Sequence, residues 1–231
     1  MTLAIAAYTL HSSRQWSHAQ THIGNDLTTA GDGFGVPENT GNQFIVGKMI
    51  KFADGEYIVD KTEPLPADIE LVALAVVAAW VHWVDGKPVE HRVTRDGQMH
   101  PDRDDLPDQD EALWPPGLDG EPTDPWKDSR YLRLIDPRTG MDYTFVTDSY
   151  GGRRSVGNLK SQIMNVRMAY PDAVPVVKPG TAPFKTSFGM KKRPDFKVIG
   201  WRNRKGGPRV KDLPPKPLPQ LGAQQDDSIP F

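Results

Sequence analysis

Tyr131-Leu132-Arg133-Leu134-Ile135-Asp136-Pro137-Arg138-Thr139-Gly140-Met141-Asp142-Tyr143-Thr144-Phe145-Val146-Thr147 reads as a β-hairpin. Two runs rich in β-forming residues flank a segment, 136–140, with Pro and Gly where a turn uses them. Gly151-Gly152 reads as a flexible loop, and Ser155 as a helix start. Val156, Leu159, Ile163, Val166 and Tyr170 then recur at helical spacing until Pro171 ends the run. Strands follow at 174–177 and 196–201. Upstream, 44–52 and 56–59 read as strands around an Asp54-Gly55 turn. The apolar run 69–84 reads as a strand, because β-branched residues are dense and Trp80-Val81-His82-Trp83-Val84 alternates. Asp85-Gly86 turns it into another strand at 88–93.

A hairpin, one helix and two further strands match the second half of an OB-like β-barrel, which has five strands and a helix between the third and fourth. Strands within 44–93 supply the first half. The expected fold class is mainly β with one helix (α+β), an OB-like β-barrel with a disordered N-terminal arm and C-terminal tail. The expected organisation is an irregular arm over 1–41, a nucleic-acid-binding domain over 42–205 with an acidic loop inserted at 101–125, and a linker and tip over 206–231.

Charge is divided along the chain. A net charge of −2 hides an acidic stretch at 102–124 and a basic one at 127–211. A basic half suits a polyanionic partner. Within it, Arg130, Tyr131, Arg133, Tyr143, Phe145, Trp201 and Arg202 lie on or beside strands. Alternation puts Tyr131, Arg133 and Ile135 on one face of their strand, and Tyr143, Phe145 and Thr147 on one face of theirs. The two strands are expected to offer rings and guanidinium groups on a shared surface, as unpaired bases require. Gly151-Gly152-Arg153-Arg154, just before the helix, supplies close backbone approach and cations for a phosphate. Lys160, Lys191, Lys192, Arg193, Lys197, Arg204 and Lys205 complete the expected nucleic-acid-binding set. Trp80 and Trp83, flanking His82, are expected in the core, and Trp114 and Trp126 are expected to pin the acidic loop.

Enzymatic signals are poor, and no cofactor, metal site or catalytic residue is expected. The chain has no Cys, which excludes disulfides and thiolate metal sites. His18 and His22 lack the Glu of a zinc-protease motif. The strongest enzymatic alternative is a Mg²⁺-dependent nuclease built on Asp172, Asp195 and Lys197. Residues 1–10 lack the basic start of a secretory signal, and Glu70 and His82 interrupt the longest apolar run. The expected location is the cytoplasm of a bacterial host cell, without membrane contact.

The chain ends Asp226-Asp227-Ser228-Ile229-Pro230-Phe231, after a Pro-, Gln- and Gly-rich stretch at 211–225. This ending resembles the C-terminal tip of bacterial single-stranded-DNA-binding proteins, which carry Asp-Asp-Asp-Ile-Pro-Phe or close variants. Ser228 stands here in place of the third Asp. The body resembles phage-encoded proteins. The resemblance of the tip implies single-stranded DNA as ligand; that of the body implies no activity and only sets the expectation in phage replication and recombination. The tip also implies replication and repair proteins as partners of Asp226, Asp227, Ile229, Pro230 and Phe231, and leaves homo-oligomerisation open. A second expectation is an adaptor that captures or inhibits host repair enzymes through the tip without binding DNA.

Overall fold

The computed structural model describes residues 45–94, 98–117, 120–186 and 189–203. The arm at 1–41, Arg204, Lys205 and the tip therefore lie outside the described residues. The fold is mainly β, with one long helix against a strongly curled half-barrel sheet.

Among the described residues nine strands form that sheet. β1 (Lys48–Ala53), β2 (Glu56–Val59) and β3 (Glu63–Pro64) make a short meander. β4 (Leu71–Val84) and β5 (Lys87–Val93) make a long hairpin, turned at Asp85 and Gly86, both with positive φ. β6 (Trp126–Ile135) and β7 (Asp142–Thr147) form the hairpin expected over 131–147, with β6 starting earlier, at Trp126. Helix α1 (Tyr150–Arg167) leads to the longest hairpin, β8 (Ala173–Thr186) and β9 (Gly189–Asn203). The order across the sheet is β3-β2-β1-β7-β6-β4-β8-β9, with β5 on the free part of β4. All pairs are antiparallel except β1 with β7.

β4 holds the sheet together. One edge pairs with β6 from Val72 to His82. The other is divided between β8, at Leu71 and Val72, and β5, from Ala79 onward. A register shift between Ala73 and Ala75 bends the strand where it passes between these partners.

The main core lies between the sheet and α1. Val156, Leu159, Ile163 and Val166 of the helix meet Leu71, Ala73, Leu132, Leu134, Phe145, Phe196 and Trp201. The opposite face carries two smaller clusters, one around Val72, Leu74, Ile135, Val174 and Val176, the other around Ala79, Val81 and Tyr131. Apolar residues on both faces explain why 71–77 reads as a continuous run rather than an alternation.

Several elements differ from expectation. The helix begins at Tyr150 rather than Ser155, so Gly151 and Gly152 belong to its first turn. Ser149 caps it, accepting a hydrogen bond from the Gly152 amide at 3.1 Å. Strands β8 and β9 run well beyond 174–177 and 196–201. Pro179 and Pro183 hid that extension. Among the described residues β8 is paired there with β9 alone, and a strand edge without a partner tolerates a missing N–H.

The acidic insertion is ordered by its tryptophans and an arginine. Two short 3-10 turns, Arg103–Asp105 and Glu111–Leu113, lie within it. Indole N–H groups of Trp126 and Trp114 donate to the Asp108 carboxylate and carbonyl, at 3.0 and 2.8 Å. Arg103 pairs with Asp124 at 2.7 Å. Trp80 is half-buried, not in the main core. It donates to the Pro101 carbonyl at 2.9 Å and stacks on His100. Trp83 is exposed at the end of β4.

Candidate nucleic-acid interface

Three elements converge on one cleft. The first turn of α1 supplies Tyr150 and Gly151, the β1–β2 turn supplies Asp54 and Gly55, and the distal part of the β8–β9 hairpin supplies Phe184 and 191–194. Gly151 is required by how closely these elements pack. A Cβ placed there would lie 2.9 Å from the Arg193 Cβ, nearer than side chains approach. On the other wall, a Cβ on Gly55 would lie 3.0 Å from the Lys192 Cδ. The space between has a volume of about 580 Å³ and opens to solvent. Such a volume suits a small ligand or a few units of a polymer.

Rings and cations share this cleft. Tyr150 and Phe184 stack with centroids 6.0 Å apart at 25°. Tyr150 is nevertheless 60 % exposed, so much of its surface is available. Phe52 joins the opposite wall. Lys191 and Lys192 are exposed, and Arg193 is half-buried, its guanidinium donating to the Pro194 carbonyl at 3.2 Å with Asp195 at 3.6 Å. Flat apolar surfaces beside cations are what a single strand of nucleic acid recruits, stacking for about 1–3 kcal/mol per base while cations hold phosphates.

The other expected residues are distributed elsewhere. Arg130 and Arg153 both turn to Asp128, with Arg153 Nε 3.4 Å from its carboxylate. Arg153 also donates to the Asp148 carbonyl at 2.8 Å. His100 meets the same carboxylate at 2.9 Å and, through its other ring nitrogen, the Thr94 hydroxyl. Burial acts to raise the Asp128 pKa, but the hydrogen bonds of His100 and Arg130, with the charges behind them, outweigh it and hold the carboxyl below its ordinary value. Arg153 is therefore engaged in holding β6 to the helix start. Arg154, one residue on, is exposed. Lys160 is half-buried on α1, Lys197 is exposed on β9, and Arg133 approaches Asp142 at 3.6 Å. The buried Nε of Arg202 has no hydrogen-bond partner among the described residues.

The expected shared surface on the β6–β7 hairpin does not form. Tyr131, Arg133 and Ile135 do share a face, but the register places Tyr131 opposite Val146 and Leu132 opposite Phe145. Cross-strand partners share a face, so Phe145 and Tyr143 lie on the helix side and Tyr131 on the other. Phe145 is 0 % exposed, Tyr131 6 % and Trp201 7 %. Burial, with the Asp148 charge behind it, raises the Tyr131 phenol above its ordinary pKa. These rings fill cores in this conformation. Tyr150 and Phe184 were legible as candidates only by proximity, the first beside Gly151-Gly152-Arg153-Arg154 and the second between Pro183 and Lys185.

Among the described residues no group of three or more His, Asp or Glu side chains could hold a metal ion. Asp172 follows the helix, just before Ala173 opposite Asn203, while Asp195 lies on β9 opposite Gly180 and beside Arg193. No described helix is long and apolar enough to cross a membrane. Comparison with protein families, with curated proteins and with solved structures finds no match to this chain.

Proposed function

We propose that this chain binds single-stranded nucleic acid, with DNA as the expected ligand, in the cleft between α1, the β1–β2 turn and the β8–β9 hairpin. The observation that carries the reading is the grouping of Tyr150, Phe184, Lys191, Lys192 and Arg193 around one open space. Strand order supports an OB-like origin. Numbered along the chain, β4, β6, β7, β8 and β9 stand in the order third-second-first-fourth-fifth, with a helix after the third. A long, bent first strand shared by the second and fourth is the plan of a five-stranded Greek-key barrel. The departure is β1, which occupies the β7 edge that barrel closure would give to β9. In this reading the tip, Asp226 to Phe231, tethers replication and repair proteins to the coated strand, in phage DNA replication and recombination.

Fluorescence anisotropy of a labelled homopolymeric oligonucleotide tests the proposal. Binding is expected for the single strand and much weaker binding for a duplex. A flat titration with every oligonucleotide would leave the adaptor, acting through the tip alone.

A further inference from the structure

The cleft lies on a seam that the sheet does not close. Among the described residues no backbone hydrogen bond joins β1, β2 or β3 to β8 or β9. β4 supports β8 only at Val176 and Val177. Beyond that point the β8–β9 hairpin is a two-stranded ribbon, reaching back over the N-terminus of α1 and the β1–β2 turn.

One side chain of β2 grips that ribbon. The Tyr57 hydroxyl is shared between the carbonyls of Gly180, at 2.9 Å, and Asp195, at 3.0 Å, and accepts from the Asp195 amide at 3.0 Å. Gly180 and Asp195 face each other across the ribbon, so a single phenol holds both strands. Its ring packs among Phe52, Phe145 and Phe196. Between this rung and the last one supported by β4 stands a weak point. Lys178 is directly opposite Lys197, both exposed, and like charges facing each other destabilise a ladder. Pro179 lies in the same interval, and Gly180 at its end.

We propose that the distal β8–β9 ribbon is a clamp over the cleft, hinged at the Lys178–Lys197 rung and latched by Tyr57, which lifts to admit a single strand and closes on it. The proposal rests on the nucleic-acid reading for its ligand but not for its motion. A lifted ribbon separates Phe184, Lys191, Lys192 and Arg193 from Tyr150 and Asp54, so the cleft opens along its length rather than being threaded from an end.

Two experiments test it. Tyr57→Phe keeps the ring and removes the latch. Amide hydrogen exchange over 181–194 is expected to accelerate at least tenfold, with β4 and β6 unchanged; wild-type rates over 181–194 overturn the clamp. Should the variant loosen the whole domain, a cross-link decides. The chain has no Cys of its own, and a Cβ on Gly55 would lie 3.7 Å from the Lys192 Cβ, within the span of a disulfide; the φ of +86° at Gly55 strains a cysteine there in the reduced and oxidised forms alike, so the comparison between the two forms holds. In the Gly55→Cys, Lys192→Cys double variant, the oxidised form is expected to load onto circular single-stranded DNA at least tenfold more slowly than the reduced form, and to exchange more slowly over 181–194. Equal loading and equal exchange in the two forms overturn the clamp. A reduced form and wild type that bind no DNA, with exchange still slowed by oxidation, overturn the nucleic-acid reading and keep the clamp.

Discussion

Tyr150 is the exposed ring at the mouth of the cleft, and its removal separates binding from folding. A side chain 60 % exposed contributes little to the core, so Tyr150→Ala is expected to leave the thermal midpoint nearly unchanged. Losing one stacking platform costs about 1–3 kcal/mol, a rise of roughly 5- to 150-fold in the dissociation constant for a single-stranded oligonucleotide. An unchanged constant by anisotropy removes Tyr150 from the interface. Asp128 makes the opposite case, a residue whose work is structural. Because its carboxyl is held below the ordinary value, its contribution is present above about pH 4 and is lost as pH falls through the folded-state pKa. The stability gap between wild type and Asp128→Asn should therefore be widest near neutrality and narrow towards pH 2, read from urea midpoints. A gap independent of pH contradicts the assignment. Neither role was legible beforehand. Alternation identifies which residues of one strand share a face, and Tyr131, Arg133 and Ile135 do. It cannot tell which face of the neighbouring strand they join, because that depends on the length of the turn. Here the register pairs odd positions with even ones, Tyr131 with Val146 and Arg133 with Thr144, and so separates the rings.

At the scale of elements, glycines distinguish the first turn of α1 from its middle. Gly152 is buried, and a Cβ there would intrude on the Thr147 side chain, while a Cβ on Gly157 would meet nothing within 4 Å beyond its chain neighbours and its own helix backbone. Replacing a helical glycine by alanine gains about 1 kcal/mol from backbone propensity. At Gly157 nothing opposes that gain, and Gly157→Ala is expected to stabilise. At Gly152 forced repacking costs about 1–3 kcal/mol and more where backbone must shift, so Gly152→Ala is expected to destabilise despite better propensity. Chemical denaturation of the two variants checks the sign of each, and equal signs would contradict the packing at the helix start. Gly151 and Gly152 explain why the sequence pattern places the start of α1 at Ser155 rather than Tyr150. Gly-Gly is a loop signal unless close packing demands it, and the demand comes from Thr147 and Arg193, the latter distant in sequence. Strand β4 and the β6–β7 hairpin were legible because their patterns are local. The ribbon of β8 and β9 was legible only at its apolar root, since prolines and lysines carry no strand signal.

For the whole molecule, the division of charge sets how binding responds to salt. The acidic loop is held in place by Arg103, Trp80, Trp114 and Trp126, so its carboxylates form part of a fixed field rather than a mobile one. The cleft carries Lys191, Lys192 and Arg193 against Asp54. If these three cations each displace a condensed counterion from a single strand, the logarithm of the binding constant falls with that of salt at a slope of about −2. Raising salt from about 50 to 200 mM should then weaken binding roughly 20-fold. Lys191→Ala with Lys192→Ala leaves one of the three, and the slope should drop to about −0.7. A double variant that binds more weakly at low salt but converges on wild type at high salt places the phosphate path along this ribbon. A variant that keeps the full slope moves the path to the remaining basic surface, where Arg154, Lys178, Lys185 and Lys197 are among the exposed cations. The basic half of the sequence raises the expectation of such a path, and only the fold could tell which of its cations stand together. Arg130 and Arg153 satisfy one half-buried carboxylate, that of Asp128, while Lys191 and Lys192 stand at the cleft beside an exposed ring.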